Sequence, residues 1–362
     1  MARSDPPFVP SMTPTIEVDG QSFPLIASSL ERMWMREATG GLTTMEIGLT
    51  DSATDASGNA LHAAGADSPL VLGAGLRVFG GPHEIGASEL FDGQITAIEA
   101  EYRDVGPPLF TVIAEDRLFP LRRRRRTRLY EESSLGDVIE EIAGDFGLTP
   151  EIRDGVDDTV RNWMQADETD LAFLRRILAL YDCDMQAVGD KLQVGRIGMD
   201  QRSLVTLTTG TTLRHARMTA DIAEQVSSLT IGSFDPAQGD NIDGTADAEG
   251  FGPGEGKTGA DILGESFSDV DMHLGRQGPL TDTEADDLAA LQAQRRARNF
   301  VQITGCALGN AELRVGSWIE LAGVNAQFAN QYAVREAVHR WDRNNGYLTD
   351  FVAESAYLGE AA

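Results

Sequence analysis

Ser134-Leu135-Gly136-Asp137-Val138-Ile139-Glu140-Glu141-Ile142-Ala143-Gly144-Asp145-Phe146 breaks a β-patterned sequence with a clear helical period. Leu135, Val138, Ile139, Ile142, Ala143 and Phe146 recur at i, i+3, i+4, i+7, i+8 and i+11, which is one apolar stripe. Ser134 is placed to cap the first turn, Asp137 favours the positive end of the dipole, and Gly147 supplies the stop. A second helix follows, with Asp167 as its cap and Leu171, Leu174, Ile177, Leu178 and Tyr181 on one face. The two stripes are expected to share one core. Met185–Val188 and Leu192–Ile197 then flank Gly189-Asp190, a two-residue hairpin signal. Residues 129–198 therefore read as a small α/β unit.

On the N-terminal side of this unit, residues 15–128 read as β. Alternation appears in Thr44–Leu49 and again in Gly93–Tyr102, and Leu109–Ala114 is a short apolar run suited to a buried strand. Turn-rich pieces such as Asp55–Asn59 separate these runs. Residues 1–14 form a polar, proline-rich tail. On the C-terminal side β patterning returns, in Leu204–Leu207, Gln225–Ile231, Phe300–Ile303, Ser317–Leu321, Tyr332–Val334 and Thr349–Val352. Residues 235–282 differ: rich in glycine and aspartate, poor in aliphatics, they predict a long mobile surface insertion. Thr281 and Glu284 form a capping box for a helix through about Arg298. The expected fold is α+β and β-dominated, with two antiparallel β blocks, 15–128 and 199–362, flanking the α/β unit.

Composition narrows the function. The formal net charge is −27, from 57 acidic and 30 basic residues. Nucleic-acid binding needs a basic face to displace counterions, so no nucleic-acid specificity is expected. No apolar run approaches the ~20 residues of a membrane span, and no stable membrane insertion is expected. The start lacks the apolar core of a signal peptide, so export by that route is not expected. Cys183 and Cys306 stand apart and read as free buried thiols.

Sequences suggestive of chemistry fail on spacing. Gly250-Phe251-Gly252-Pro253-Gly254-Glu255-Gly256-Lys257-Thr258 ends like a phosphate-binding loop, but Phe251 occupies the position of the first required glycine, and no apolar strand leads in. Asp240–Asp247 has the acids of a calcium loop, yet aligning Gly244 to the sixth position leaves no bidentate glutamate. His62, His83, His215, His273 and His339 are scattered without ligand spacing. No serine sits in a nucleophile elbow. The chain is thus expected to have no catalytic residue, no metal and no cofactor. The one strong basic feature is Arg122, Arg123, Arg124, Arg125 and Arg126, with Arg128. On strand alternation Arg122, Arg124 and Arg126 would share one face. Pairing with the chain's own surplus carboxylates, docking of another subunit, and an anion or nucleic-acid patch are all compatible with it.

The order of the pieces resembles a known family. Phe91–Ile95 followed by Leu109–Asp116 is similar to the first β domain of phage late control protein D. Leu121, the arginine run, Leu129-Tyr130, Ser134–Ala143 and Gln165–Arg176 resemble its middle domain. Ala297–Val301, Gly309-Asn310, Leu313–Gly316, Phe328–Val334, His339 and Gly346–Thr349 resemble its C-terminal signature. Val315 stands where that family often has proline, and Asn330 where it often has glycine.

The resemblance implies a homotrimeric baseplate hub of a contractile phage tail or tail-like injection system, related to the hub part of type VI secretion spike proteins. By it, the β blocks would be tube-like domains and 129–198 would lie outside them. Implied partners are a spike protein, tail tube or tube-initiator proteins and baseplate wedge proteins. The spike is expected on a separate polypeptide, and the particle would be a virion baseplate or an injection apparatus. The competing reading is a cell-wall carbohydrate-binding or carbohydrate-active protein on a β scaffold, because Ser134–Phe146 is also similar to the first helix of small peptidoglycan-binding modules.

Overall fold

The computed structural model describes residues 13–54, 60–61, 63, 65, 67–80, 88–153, 155–156, 159–199, 201–236, 238–275, 278–279 and 281–360. The turn expected at Asp55–Asn59, most of the N-terminal tail, and His62 and His83 lie outside them. The first β block carries β1 (Thr15–Val18), β2 (Gln21–Ser22), the short helix α1 (Pro24–Ser29), β3 (Leu30–Ala38), β4 (Thr44–Thr50), the small hairpin of β5 (Ala53–Thr54) and β6 (Ala60–Leu61), β7 (Gly75–Gly80), β8 (Ser88–Glu101) and β9 (Leu109–Asp116). Period-two burial is clear in β3, where Met33, Met35 and Glu37 point inward and Arg32, Trp34 and Arg36 outward.

The middle unit follows a 3-10 turn at Phe119–Arg122. It contains β10 (Arg125–Ser133), α2 (Leu135–Asp145), β11 (Thr149–Ile152), β12 (Arg161–Thr169), α3 (Asp170–Leu180), β13 (Cys183–Val188) and β14 (Lys191–Arg196). Leu135, Ile139 and Ile142 of α2 share a buried core with Leu171, Leu174 and Leu178 of α3, and Phe146 packs at its margin. Ser134 and Asp137 close a full capping box. The cap of α3 is Thr169, whose hydroxyl accepts from the Ala172 N–H, and not Asp167, which lies within β12. Val188 pairs with Lys191 across the Gly189-Asp190 turn.

The remainder comprises β15 (Leu204–Thr208), β16 (Leu213–Ala220), β17 (Ser228–Asp235), β18 (Asp240–Asp247), α4 (Gly259–Ser266), β19 (Asp271–Gly275), α5 (Asp282–Arg298), β20 (Val301–Leu308), β21 (Trp318–Ala322), β22 (Gln331–Asp342) and β23 (Gly346–Ser355). The two β blocks are not separate sheets. They join in one 13-stranded sheet of order β16-β20-β23-β22-β3-β4-β9-β8-β7-β1-β2, with β15 and β21 attached beside β22. The seam is the antiparallel pair β22–β3, running from Glu336 opposite Ala38 to Asp342 opposite Arg32. Each block keeps its own apolar core, one around Met35, Ile47 and Val112 and the other around Ile303, Tyr332 and Phe351.

The insertion expected at 235–282 is corrected by the structure. Its residues form β18, α4 and β19, and β17 is the central strand of a three-stranded sheet between β18 and β19. α5 packs over this sheet. Leu229, Ile231, Leu288, Ala289 and Ala293 join the same core as Leu135 and Leu174. That core is therefore assembled from two separate stretches of chain and begins at Leu118, ahead of residue 129. The stretch looks structureless in sequence because its burial uses one isoleucine and otherwise small residues: Ile242, Gly244 and Ala246 alternate inward while Asp243 and Thr245 face out. The loop around Gly250–Thr258 packs as well, and Lys257 makes a bridge to Leu358.

Candidate functional site

Two kinds of feature stand out among the described residues: buried ion pairs that join separate elements, and apolar side chains exposed at the surface. At the joint between the first β block and the rest, Glu37 is 1% exposed. Its carboxylate accepts from Arg314 Nε and Nη2, each at 3.0 Å, and from the Val315 N–H at 3.2 Å, with Arg202 Nη1 3.6 Å away. Burial alone would raise the Glu37 pKa, but Arg314, Arg202 and these hydrogen bonds outweigh it and hold the carboxyl below the usual range. Asp116 accepts from the Thr43 and Leu118 N–H groups, and Asp184 from Gly40 N–H and Gln186 Nε2. Burial pushes both carboxyls up to about 6.

A second joint is centred on Arg298 at the end of α5, which is 2% exposed. Its guanidinium donates to Asp182, between α3 and β13, at 2.8 Å and to Glu354 of β23 at 3.1 Å. Arg335 of β22 donates to the other oxygen of Glu354 at 2.8 Å. One four-residue chain of charges thus ties the α/β core to the second β block. A third contact, Arg161 with Glu284, links β12 to the first turn of α5, so Glu284 serves this pair and not the reciprocal half of the expected capping box.

The arginine run is divided. The strand begins only at Arg125, so the expected alternation through Arg122 and Arg124 does not form. Arg122 pairs with Glu115, Arg125 with Asp167, Arg126 with Asp145 and Asp170, and Arg128 with Glu141 and Asp145. Arg123 stacks over the Phe119 ring, and Arg124 has no charged partner among the described residues. Beside them Leu129 and Met164 sit opposite each other on β10 and β12 with about half their surface exposed. The end of the β8–β9 hairpin exposes Tyr102 at 80% and Val105 at 87%.

The two remaining sequence motifs have structural roles. In the glycine-rich loop, Thr258 caps α4 through a capping box with Asp261, and Lys257 pairs with Glu265. Gly256 lies so close to the Leu358 carbonyl that a Cβ would collide with it. Gly244 of the calcium-like stretch lies so close to the α5 backbone at Ala285 and Asp286 that a Cβ would collide with it. His339 is fully buried, with Nδ1 2.7 Å from the Tyr347 hydroxyl, and burial lowers its pKa to about 3. Cys183 and Cys306 are both buried thiols, and burial pushes the Cys306 thiol up to about 11. Among the described residues, no helix is long and apolar enough to cross a membrane.

None of these joints was marked in the sequence, because Glu37, Arg202 and Arg314, or Asp182, Arg298 and Glu354, meet only through long-range pairing. No curated protein matches the chain. Solved structures do match its fold. A 43 kDa tail protein of prophage MuSo2 from Shewanella oneidensis aligns over 95% of this chain and 98% of its own, at 12% identity and a TM-score of 0.67. A tail protein from Neisseria meningitidis aligns over 95% and 96%, at 11% identity and 0.63. An Escherichia coli component of the type VI secretion system aligns over 96% of this chain and 79% of its own, at 14% identity and 0.56. The fold is thus shared with phage tail proteins and a secretion-system component. At the level of sequence, residues 10–342 match the model of the Alg8 N-terminal domain, and the protein belongs to the Alg8 N-terminal domain family.

Proposed function

We propose that the chain is a structural hub, of the late control protein D type, in the baseplate of a contractile phage tail or tail-like injection particle. Three copies would form a ring that joins a tail tube, or its initiator, to a spike protein, with wedge proteins outside. The observation that carries this reading is the match of fold along the whole chain to two phage tail proteins, at 95% coverage in each case. The joined sheet supports it. Two β blocks fused through β22–β3 form one stiff body, and the sheet ends in β16 and β2, whose outer edges are available for pairing with another chain. Three chains with two β blocks each give six positions, the number that a sixfold tube requires. Such a role needs contact area and rigidity and no reacting group. Of the arginine run, Arg123 and Arg124 with Leu129 and Met164 are the members we assign to docking, the others being matched by carboxylates of their own chain.

The test is composition. Tail-like particles purified from a producing bacterium, after assembly in its cytoplasm, should contain this chain at half the copy number of one tube ring, by quantitative mass spectrometry. Its absence from intact particles would overturn the reading.

A further inference from the structure

We propose that the cleft at the meeting point of the first β block, the α/β core and the second β block binds a carboxylate-bearing peptide segment of a partner protein. The cleft encloses about 710 Å³ and is lined by Trp34 and Arg36 of β3, Arg175 of α3, Arg295 and Arg298 of α5 and Arg335 of β22. Its volume lies within the range of about 300–1,000 Å³ typical of ligand sites. Five arginines gather here in a chain whose net charge is −27. Only two carboxylates, Asp182 and Asp184, line the same cleft.

Internal pairing leaves some of this charge free. Arg36 uses its Nε on Glu336, Arg335 its Nη1 on Glu354, and Arg298 is held by Asp182 and Glu354. Arg175 donates to two carbonyls, Gly40 O at 2.6 Å and Gly41 O at 2.8 Å, and hydrogen-bonds to no carboxylate among the described residues. Arg295 is exposed and has neither a hydrogen bond nor an ion pair among the described residues. The buried Arg298 also has one nitrogen, Nη1, without a hydrogen-bond partner. A guanidinium fork presents parallel N–H donors matched to a carboxylate.

The remainder of the lining decides the class of anion. Trp34, 37% exposed, together with Leu42 and Leu178 gives the cleft an apolar wall. An acidic peptide supplies both carboxylates and apolar stems for such a wall. A free phosphate does not use it, and the net charge of −27 disfavours a long polyanion such as a nucleic acid more than a short acidic peptide. The site belongs to a single chain, so it stands whether or not the chain forms a ring.

Fluorescence polarisation of a labelled oligoglutamate peptide against the full-length chain at low ionic strength tests this directly. Saturable binding is expected. It should weaken about ten-fold in Arg295→Glu and also in Arg36→Gln, and should be unchanged in Arg103→Glu, which reverses a charge on the distant β8–β9 hairpin tip. Circular dichroism would confirm that each variant is folded. Absence of binding to the folded wild-type chain, or binding that neither cleft variant weakens, would overturn the proposal. So would equal competition by inorganic phosphate or by a DNA oligonucleotide, which would make the cleft a general anion site.

Discussion

Glu37 and Arg314 form a pair that neither residue can leave cheaply. Removing one partner of a buried ion pair strands the other charge, and the usual cost is about 3–5 kcal/mol. Glu37→Ala is therefore expected to lower the unfolding free energy by about that amount in urea. The double change with Arg314→Ala should recover part of it, because the Arg314 charge is then no longer stranded, while Arg202 still lacks the Glu37 carboxylate. A single-mutant cost close to zero would mean that water reaches the pair. Asp116 and Asp184 act in a different way. Burial lifts both carboxyls to about 6, so the folded chain keeps protons that the unfolded chain has already released. Their contribution to stability is complete below about pH 4 and is lost as pH rises through about 6. Asp116→Asn or Asp184→Asn should flatten that part of the profile, read as urea midpoints across this range. A profile with unchanged slope would show that these carboxyls titrate normally. Glu37 has the opposite sign, since its lowered pKa favours the folded state above the ordinary glutamate range and that benefit fades on acidification.

Helices α2 and α3 were legible because their burial is aliphatic and follows one period, and the same is true of the Gly189-Asp190 hairpin. Leu174 is fully buried, and Leu174→Ala should cost about 2–5 kcal/mol in equilibrium unfolding. An unchanged midpoint would mean that its helix face is misassigned. Strand β18 was not legible, because it meets the α5 backbone at Gly244 against Ala285 and its other inward residues are one isoleucine and one alanine, which give little hydrophobic signal. Gly244→Ala should push the two elements apart at a cost of about 1–3 kcal/mol, although alanine is ordinarily harmless in an exposed strand. A variant as stable as the parent would mean that β18 and α5 are not in close contact at Gly244. The acidic, glycine-rich composition of 235–282 signals a shortage of apolar burial. The shortage is real, but α5 supplies the apolar partner from outside the segment.

Among the described residues, three apolar cores are joined by the β22–β3 pairing and by the Arg298 network. Block order and the predominance of antiparallel strands were visible in alternation and turn signals alone. The fusion of both blocks into one sheet was not, because the pairing of Asp342 with Arg32 spans nearly the full sequence and no local pattern encodes it. The charge of −27 on each copy opposes association at low salt. Ring closure of the isolated protein is therefore expected to strengthen as ionic strength approaches about 0.15 M, where screening shortens to about 8 Å. The central claim is the ring itself, and a cryo-EM reconstruction of the assembled particle tests it most directly. The proposed hub predicts three copies around a channel, with the two β blocks of each chain alternating in six positions beneath the tube and the α/β core on the outside. A monomer seated in the baseplate, or a ring in which the two blocks do not alternate, would contradict it.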